Sequence, residues 1–131
     1  MYKIRGIRGA TTADANTKEA IVKATKDMLE ALVKANNIDP DDIASAMFTT
    51  TRDLNAEFPA VAARKHLGWS YVALMCSHEM DVPDALPSCI RVCMLVNTHK
   101  RADEIVNVYL KDAVNLRQRG VITPNDSQDA S

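Results

Sequence analysis

The sequence places a permanently charged side chain inside its most apolar stretch. Arg91 lies in the middle of residues 87–97, the longest run of strand-favouring residues, and apolar side chains occupy both sides of that run. This pattern predicts a central strand that is buried on both faces. A guanidinium cannot lose its charge, so Arg91 must either form an ion pair or face a polar cavity. The strand by itself is compatible with a structural ion pair and with a site for an anionic or electron-rich ligand.

Three further charged side chains accompany predicted apolar elements. Arg8 lies on the Ile4–Gly6 face of the first strand, Arg64 lies on a short helix, and Glu79 follows the third strand. Taken singly, each is best explained as a member of a surface ion pair, because such pairs are common. Together with Arg91, however, the set contains three arginines and one carboxylate. That balance is a poor fit to mutual neutralisation and a good fit to a polyanionic small ligand that also carries a hydroxyl group.

The sequence lacks the motifs of covalent, metal-dependent and cofactor-dependent chemistry. It contains no nucleophile elbow, no HExxH pair and no glycine-rich phosphate loop. Cys89 and Cys93 share a strand face, but about 13 Å separates their Cα atoms, which is too far for one zinc ion. Both are predicted to be buried core thiols. His78, beside Glu79, is the histidine nearest to the charged set, and a site without metal or cofactor is expected.

Length, charge and cysteine content restrict the class of protein. The chain of 131 residues is long enough for one domain with its own core, and the net charge of −1 argues against a nucleic-acid or membrane-surface binder. No apolar run could span a membrane, and the N-terminal residues do not have a signal-peptide pattern. Three cysteines fit reduced thiols, so a cytoplasmic protein is expected. Residues 1–117 are predicted to form the domain, followed by a polar, mobile tail over 118–131.

Hydrophobic periodicity predicts an alternation of strands and helices. Strands are expected over residues 2–10, 43–51, 71–77, 87–97 and 113–116. Helices are expected from the N-cap Asn16 to Asn36 and Asn37, over 58–67 and over 101–111, with a short helical turn after Asp39. Gly6 and Gly9 weaken the first strand unless another element approaches its backbone closely. The predicted fold class is α/β (α+β), a mixed β-sheet with helices packed on it.

Six motifs, in order, resemble the monofunctional AroH-class chorismate mutases, the trimeric α/β kind. They are RGIRGATT at 5–12, DLNAEFPA at 53–60, GW at 68–69, EMDV at 79–82, CIRV at 89–92 and VYL at 108–110. The resemblance covers about residues 2–117 in register. It implies a mixed sheet with helices on one face, and a homotrimer in which three sheets form a pseudo-α/β-barrel with an active site at each subunit interface. It also implies conversion of chorismate to prephenate, a [3,3] rearrangement in phenylalanine and tyrosine biosynthesis, without a cofactor.

The resemblance also assigns roles to individual positions. Arg91 is expected to donate to the ether oxygen and to a carboxylate, and Arg8 to bind a carboxylate. Glu79 and the thiol and backbone of Cys76 are expected to hold the ring hydroxyl, and Tyr109 to help with a carboxylate. Arg91, Glu79 and Arg8 are thus the catalytic candidates. The remaining substrate-binding candidates are Phe58, Ala60, Arg64, Leu74, Met75 and Leu116, which line or edge the pocket, and Arg117, which closes over it.

Two departures from the family pattern and two other functions stay open at this point. Val61 stands where many relatives carry a lysine, so a peripheral anion contact is missing. Gln118 and Arg119 stand where relatives often carry Pro-Asp, which puts the closing role of Arg117 in doubt. The alternatives are a trimeric enamine/imine deaminase-like protein and a non-catalytic small-anion binder of related fold. The combination of Arg8, Glu79 and Arg91 with Tyr109 matches the mutase pattern.

Overall fold

A mixed β-sheet forms the centre of the fold. The structure is a computed structural model and describes residues 2–116. In this part of the chain the elements are β1 (Lys3–Thr12), α1 (Lys18–Asn36), β2 (Ile43–Thr50), β3 (Ala73–His78), β4 (Cys89–Thr98) and β5 (Val108–Tyr109). The strands form one sheet in the order β3-β2-β4-β1-β5. Strand β4 is antiparallel to β1 and β2, whereas β2–β3 and β1–β5 are parallel. The mixed sheet and the central position of β4 are as predicted.

The helix α1 covers one face of this sheet. Its buried apolar residues recur at helical spacing and include Ile21, Ala24, Met28, Leu29 and Leu32. They belong to the same core cluster as the alternate strand residues Ile7, Phe48, Ile90, Val92 and Met94. A close approach to the backbone of β1, the condition under which a glycine is useful in a strand, is found at Gly9, where Leu32 lies against the strand. At Gly6 no atom of residues 2–116 lies within 4 Å of the position that a Cβ atom would take, so no such approach is seen there.

The ends of α1 are set by local hydrogen bonds. The N-cap is Thr17, whose side-chain oxygen accepts from the backbone N–H of Ala20 at 3.1 Å. The prediction of Asn16 as the cap is therefore wrong by one residue, because both residue types cap well and the Asn16 side chain is bonded to a loop instead. At the other end Asn37 has a left-handed φ of 51° and its N–H bonds to the carbonyl of Val33. This confirms the predicted end of the helix.

The other face of the sheet is open to solvent in the single chain. We call it the open sheet face and define it by Ile4, Met47, Met75, Cys93 and Leu95, which lie side by side across four strands. Its four largest apolar side chains are well exposed: Ile4 at 58%, Met47 at 48%, Met75 at 64% and Leu95 at 40%. The prediction that β4 is buried on both faces is therefore wrong for the single chain. A contiguous apolar surface of this kind is typical of an interaction site.

The short helical elements follow the sequence pattern in part. The chain is helical from residue 60 and continues as a turn with wide, π-type hydrogen bonding at Ala62–His66. Gly68, with a φ of 70°, ends this segment as predicted. A 3₁₀ turn at Pro40–Asp42 follows the capping side chain of Asp39, also as predicted. No helix of the described residues is long and apolar enough to cross a membrane.

The segment after β4 differs from its predicted secondary structure. The sequence predicts a helix over 101–111, but a 3₁₀ turn at Ala102–Glu104 is followed by extended chain that enters β5. It predicts a strand over 113–116, but those residues follow or belong to a 3₁₀ turn at Lys111–Asn115. Between the two turns the backbone bonds to β1, as in the 2.9 Å bond from the N–H of Leu110 to the carbonyl of Ala10. The edge of β1 offers unpaired backbone groups, and pairing with them outweighs local helix propensity.

A side chain at position 9 should cost stability. A Cβ atom on Gly9 would lie 2.7 Å from Leu32 Cδ1 and 3.3 Å from Met28 Cγ, both of which belong to the buried core. We expect Gly9→Ala to lower the free energy of unfolding in urea by about 1–3 kcal/mol, because the core has no room for an added methyl group. The double variant Gly9→Ala/Leu32→Val should be less destabilised than the sum of its single changes. Strict additivity would contradict the close approach.

Candidate functional site

Arg91 and Glu79 meet on the open sheet face at one end of the central strand. The distance from Arg91 Nη1 to Glu79 Oε2 is 3.8 Å. The side chain of Arg91 is 42% exposed and that of Glu79 is 34% exposed. Thr49, which pairs with Arg91 across β2 and β4, donates its hydroxyl to Glu79 Oε2 at 3.4 Å. An ion pair this long and exposed contributes little stability. The guanidinium therefore keeps donors available for a ligand.

Arg8 and Tyr109 lie on the β1 and β5 side of Arg91. Arg8 pairs with Cys93, so it is the diagonal neighbour of Arg91 across β1 and β4, at a typical separation of about 7–8 Å. Ala10 pairs with Arg91 on one side and with Tyr109 on the other, which puts these three residues in one row of the sheet. The strands thus bring together Arg8, Glu79, Arg91 and Tyr109. We call these four residues the charged half-site.

A second group of candidate residues lies on the helix-covered side of the edge strand β3. Leu74 and Cys76 pack against the core from that side. Burial raises the pKa of the Cys76 thiol, while the backbone of Ala60 and the charge of Arg64 nearby act in the opposite direction. The thiol is therefore neutral near pH 7, which suits a hydrogen bond and not a nucleophile. We call Phe58, Ala60, Arg64, Leu74 and Cys76 the apolar half-site.

An open cavity of about 360 Å³ adjoins the apolar half-site. Phe58, which is 65% exposed, and Cys76 both line it, as does His78. The Nδ1 atom of His78 lies 3.1 Å from the hydroxyl of Thr50 and 3.4 Å from its carbonyl oxygen. Since that hydroxyl donates its proton to Leu54, the geometry favours a proton on Nδ1 of His78. The Nδ1 side of the His78 ring is thus bound by Thr50. Because successive side chains of a strand point to opposite faces, His78 and Glu79 point away from each other.

The single chain does not bring the two half-sites together. Arg91 and Glu79 are on the open sheet face, whereas Leu74 and Cys76 are on the opposite side of the sheet. Met75 alternates with these two and is exposed on the open sheet face. Leu116 follows the last 3₁₀ turn, and Arg117 lies outside the described residues, so its predicted closing role has no structural description here.

The two cysteines of β4 differ in environment. Cys89 is buried, as predicted, and burial raises the pKa of its thiol although Arg91 nearby opposes that shift. Cys93 is exposed, so its predicted burial is wrong, because it points to the open sheet face. Among residues 2–116, no three histidine, cysteine or acidic side chains are arranged so that they could hold a metal ion.

A polar network that the sequence reading missed fixes the start of β4. Asp53 accepts hydrogen bonds from the hydroxyl of Thr51 and from the backbone N–H of Ser88 at 2.9 Å. The Thr51 hydroxyl in turn accepts from the N–H of Cys89 at 3.0 Å, and the Thr51 N–H bonds to the Cys89 carbonyl. The strand that carries Arg91 is thereby anchored two residues before the guanidinium. The Thr-x-Asp spacing, typical of a polar turn, was the available signal.

A second missed clamp holds the loop that leads to Phe58. The Oδ1 atom of Asn16 accepts from the backbone N–H groups of Asn55 and Ala56, both at 3.0 Å. Its Nδ2 donates to Asn55 Oδ1 at 2.8 Å. Three hydrogen bonds from one side chain fix this loop without secondary structure. No local sequence pattern points to a partner 39 residues away.

The chain is similar to known chorismate mutases over most of its length. The sequence model of the family described as chorismate mutase type I matches residues 4–119. The chain is 45% identical over 122 residues to chorismate mutase AroH of Bacillus subtilis (strain 168), covering 93% of this chain and 96% of that protein. It is 44% identical over 115 residues to chorismate mutase AroH of Thermus thermophilus, covering 87% and 93%. A solved chorismate mutase structure from Clostridium thermocellum matches with a TM-score of 0.81 and 50% identity, over 83% of this chain and 96% of that one.

The Asp53 network should make stability depend on acid pH. Burial alone would raise the pKa of Asp53, but hydrogen bonds from Thr51 and Ser88 outweigh it and lower the pKa below its usual value of 3.8. A depressed pKa stabilises the fold above the unfolded-state value, and this contribution is lost as the pH falls below about 4. We expect urea unfolding of Asp53→Asn to show a smaller loss of stability in that range. At pH 7 the variant should be less stable by about 1–2 kcal/mol. An asparagine has one acceptor oxygen and one donor NH₂ group, so its NH₂ would face either the Thr51 hydroxyl or the Ser88 N–H, which are both donors to Asp53.

The matched control for this prediction is Asp14→Asn. Asp14 pairs with Lys111 at 2.8 Å on the surface, and that hydrogen bond lowers the pKa of its carboxyl as well. Because this carboxyl is solvated, its removal should change stability much less. An Asp53→Asn variant with the wild-type stability profile between pH 2 and 7 would contradict the proposed anchoring of β4.

Proposed function

We propose that this chain, which belongs to the chorismate mutase type I family, isomerises chorismate to prephenate in phenylalanine and tyrosine biosynthesis. The observation that carries the proposal is the charged half-site, in which two arginines, one carboxylate and one phenol share one end of the sheet. Chorismate offers matching groups, namely two carboxylates, an ether oxygen and a ring hydroxyl. The relatives that match at 44–45% identity are named chorismate mutases, which favours this activity over a deaminase or a passive binder.

The reaction needs no nucleophile and no proton transfer. It breaks one C–O bond and forms one C–C bond in a single rearrangement, so the protein has two means of acceleration. It can select the compact conformer in which the reacting carbons are close. It can also hold fixed positive charge where negative charge develops, on the ether oxygen. A gain of about 10⁶ in rate requires roughly 8 kcal/mol from both effects together.

Arg91 is the proposed electrostatic catalyst. Its guanidinium stays charged at any physiological pH and extends from the central strand of a sheet that is hydrogen-bonded on both sides. Such a charge needs little reorganisation during the reaction. Glu79, 3.8 Å from one end of the guanidinium, orients it and can accept a hydrogen bond from the ring hydroxyl of the substrate. Arg8 and Tyr109 are proposed to bind substrate carboxylates, and together these contacts would hold the compact conformer.

We further propose a homotrimer with an active site at each subunit interface. Two observations support it: the open sheet face is apolar and contiguous, and the two half-sites lie on opposite sides of the sheet within one chain. A closed ring of identical subunits joins two different surfaces at each contact. Such a contact would bring the apolar half-site of one subunit to the charged half-site of the next. Cys76 and Glu79 could then hold the same hydroxyl from two subunits. With three free cysteines, we also propose a cytoplasmic location.

Removal of the guanidinium should abolish most of the catalysis and leave the fold intact. We expect Arg91→Ala to lower kcat for chorismate by several orders of magnitude, because it removes charge stabilisation made in the transition state. Arg91→Lys should recover only part of the loss, since an ammonium cannot reproduce the planar fork. The matched control is Arg101→Ala, a surface arginine paired only loosely with Asp103 at 3.4 Å. Turnover of Arg91→Ala within a few fold of wild type would refute the proposed role.

Subunit mixing should test the interface directly. Arg91→Ala disables the charged half-site, and Arg64→Ala disables the apolar half-site, so each homotrimer should be nearly inactive. When the two variants are unfolded together, mixed 1:1 and refolded, about one quarter of the sites should combine two intact halves. Chorismate turnover should therefore return to about that fraction of wild type. No recovery from a mixture that sediments as a trimer would show that both halves come from one subunit.

A further inference from the structure

Strand β5, which carries Tyr109, is too short to hold itself in place. It contains only Val108 and Tyr109, paired with Gly9 and Ala10 of β1, and it lies at the edge of the sheet. Two backbone pairs give little stability at a solvated edge. The 2.9 Å bond from the N–H of Leu110 to the carbonyl of Ala10 fixes the end of this strand. Its beginning is fixed in a different way, by side-chain amides.

The side chain of Asn107 continues the β1–β5 ladder by one step. Its Oδ1 atom accepts a hydrogen bond of 2.8 Å from the backbone N–H of Arg8, 99 residues away in the chain. Arg8 immediately precedes Gly9, the first residue of β1 that pairs with β5, and Asn107 immediately precedes β5 itself. A side-chain carbonyl thus binds the main chain of the arginine that is proposed to hold a substrate carboxylate.

The position of Asn107 is itself set by a buried amide at the end of α1. Asn36 is 3% exposed and uses its whole amide group. Its Nδ2 donates to the carbonyl of Val106 at 2.8 Å and to that of Leu32 at 3.0 Å, and its Oδ1 accepts from the N–H of Val106 at 2.9 Å. The residue before Asn107 is therefore held at both backbone groups, as it would be by a neighbouring strand.

We propose that Asn107 is a positioning residue for Arg8, held in register by Asn36. This inference rests on the proposed function, since it concerns the same site. Helix α1 fixes Val106, Val106 fixes the start of the Asn107 side chain, and Asn107 fixes the backbone of Arg8. A displacement of about 1 Å at a binding group is enough to change a rate by as much as 10²-fold. The amide chain therefore couples the core of the protein to the carboxylate-binding arginine.

Asn107 differs from a residue that merely supports the fold. Its hydrogen bond to Arg8 lies at the exposed edge of the sheet. Water can replace the lost acceptor there, so the stability cost of removing the side chain is small. The main effect of its loss should fall on the placement of Arg8. Asn36 is unsuitable as the test residue, because its side chain is buried and its removal would take away the partner of both backbone groups of Val106.

The test compares Asn107→Ala with the wild type, alone and in an Arg8→Ala background. We expect about a tenfold loss of kcat/KM for chorismate, carried mainly by a higher KM, with an unchanged urea midpoint. In the Arg8→Ala background the same change should have no further effect. Asn107→Asp, which keeps the acceptor oxygen, should retain slow hydrogen exchange at the Arg8 amide, whereas Asn107→Ala should lose it. The control Asp103→Ala, on the exposed turn of the same segment, should change none of these values.

Equal losses in the two backgrounds, or an unchanged kcat/KM despite a deprotected Arg8 amide, would overturn the inference. If the wild type does not rearrange chorismate, the proposed function fails, and calorimetry with a bicyclic dicarboxylate then tests the positioning separately. Weaker binding of that probe by Asn107→Ala only when Arg8 is present would support the inference. The same affinity for wild type and variant would reject it.

Discussion

A permanent charge on the central strand is the constraint on which the rest of the structure depends. Arg91 cannot become neutral, and Glu79 at 3.8 Å compensates it only loosely. The strand that carries it is hydrogen-bonded to neighbours on both sides and begins at the Thr51–Asp53–Ser88 network. Its other face is packed against α1. Core packing on one face and backbone pairing on both sides of the strand thus hold one partly exposed guanidinium in a fixed place.

That arrangement links the proposed chemistry to the proposed assembly. In the single chain Arg91 is 42% exposed, and water would weaken its interaction with a developing negative charge. A second subunit on the open sheet face would remove that water and supply the apolar half-site. The same apolar surface that would be a liability in a monomer is therefore useful in the proposed trimer. Side-chain amides at Asn16, Asn36 and Asn107 hold the loops around the site where regular secondary structure ends.

The sequence predicted the elements whose signals are local and periodic. The helix α1 was predictable because its apolar residues recur at 3.6-residue spacing, and the strand β4 because it is a continuous run of strand-favouring residues. The segment 101–116 was not, because its conformation is set by the edge of β1 and by Asn36, both distant in sequence. The exposure of Cys93 was mispredicted for another reason. A strand face that packs on a helix and one that is left for a second chain carry the same apolar pattern.

The candidate site was predictable to a similar degree. Arg91 and Glu79 were identified because they are charged residues within or next to predicted apolar strands, and the structure brings those two together. Their relation to Arg8 and Tyr109 depends on the register of β1 with β4 and β5, which no local pattern specifies. The clamps by Asp53 and Asn107 depend on backbone geometry that exists only in the folded chain. The family resemblance supplied residue roles that residue patterns alone left open.

The most direct test of the central claim is the affinity of a bicyclic dicarboxylate shaped like the transition state, measured by calorimetry for the wild type and for Arg91→Ala. If Arg91 acts on the charge that develops at the ether oxygen, the analogue should lose affinity by about the same factor as kcat/KM falls. An analogue that binds both proteins equally well, while kcat/KM falls, would contradict the electrostatic role of Arg91.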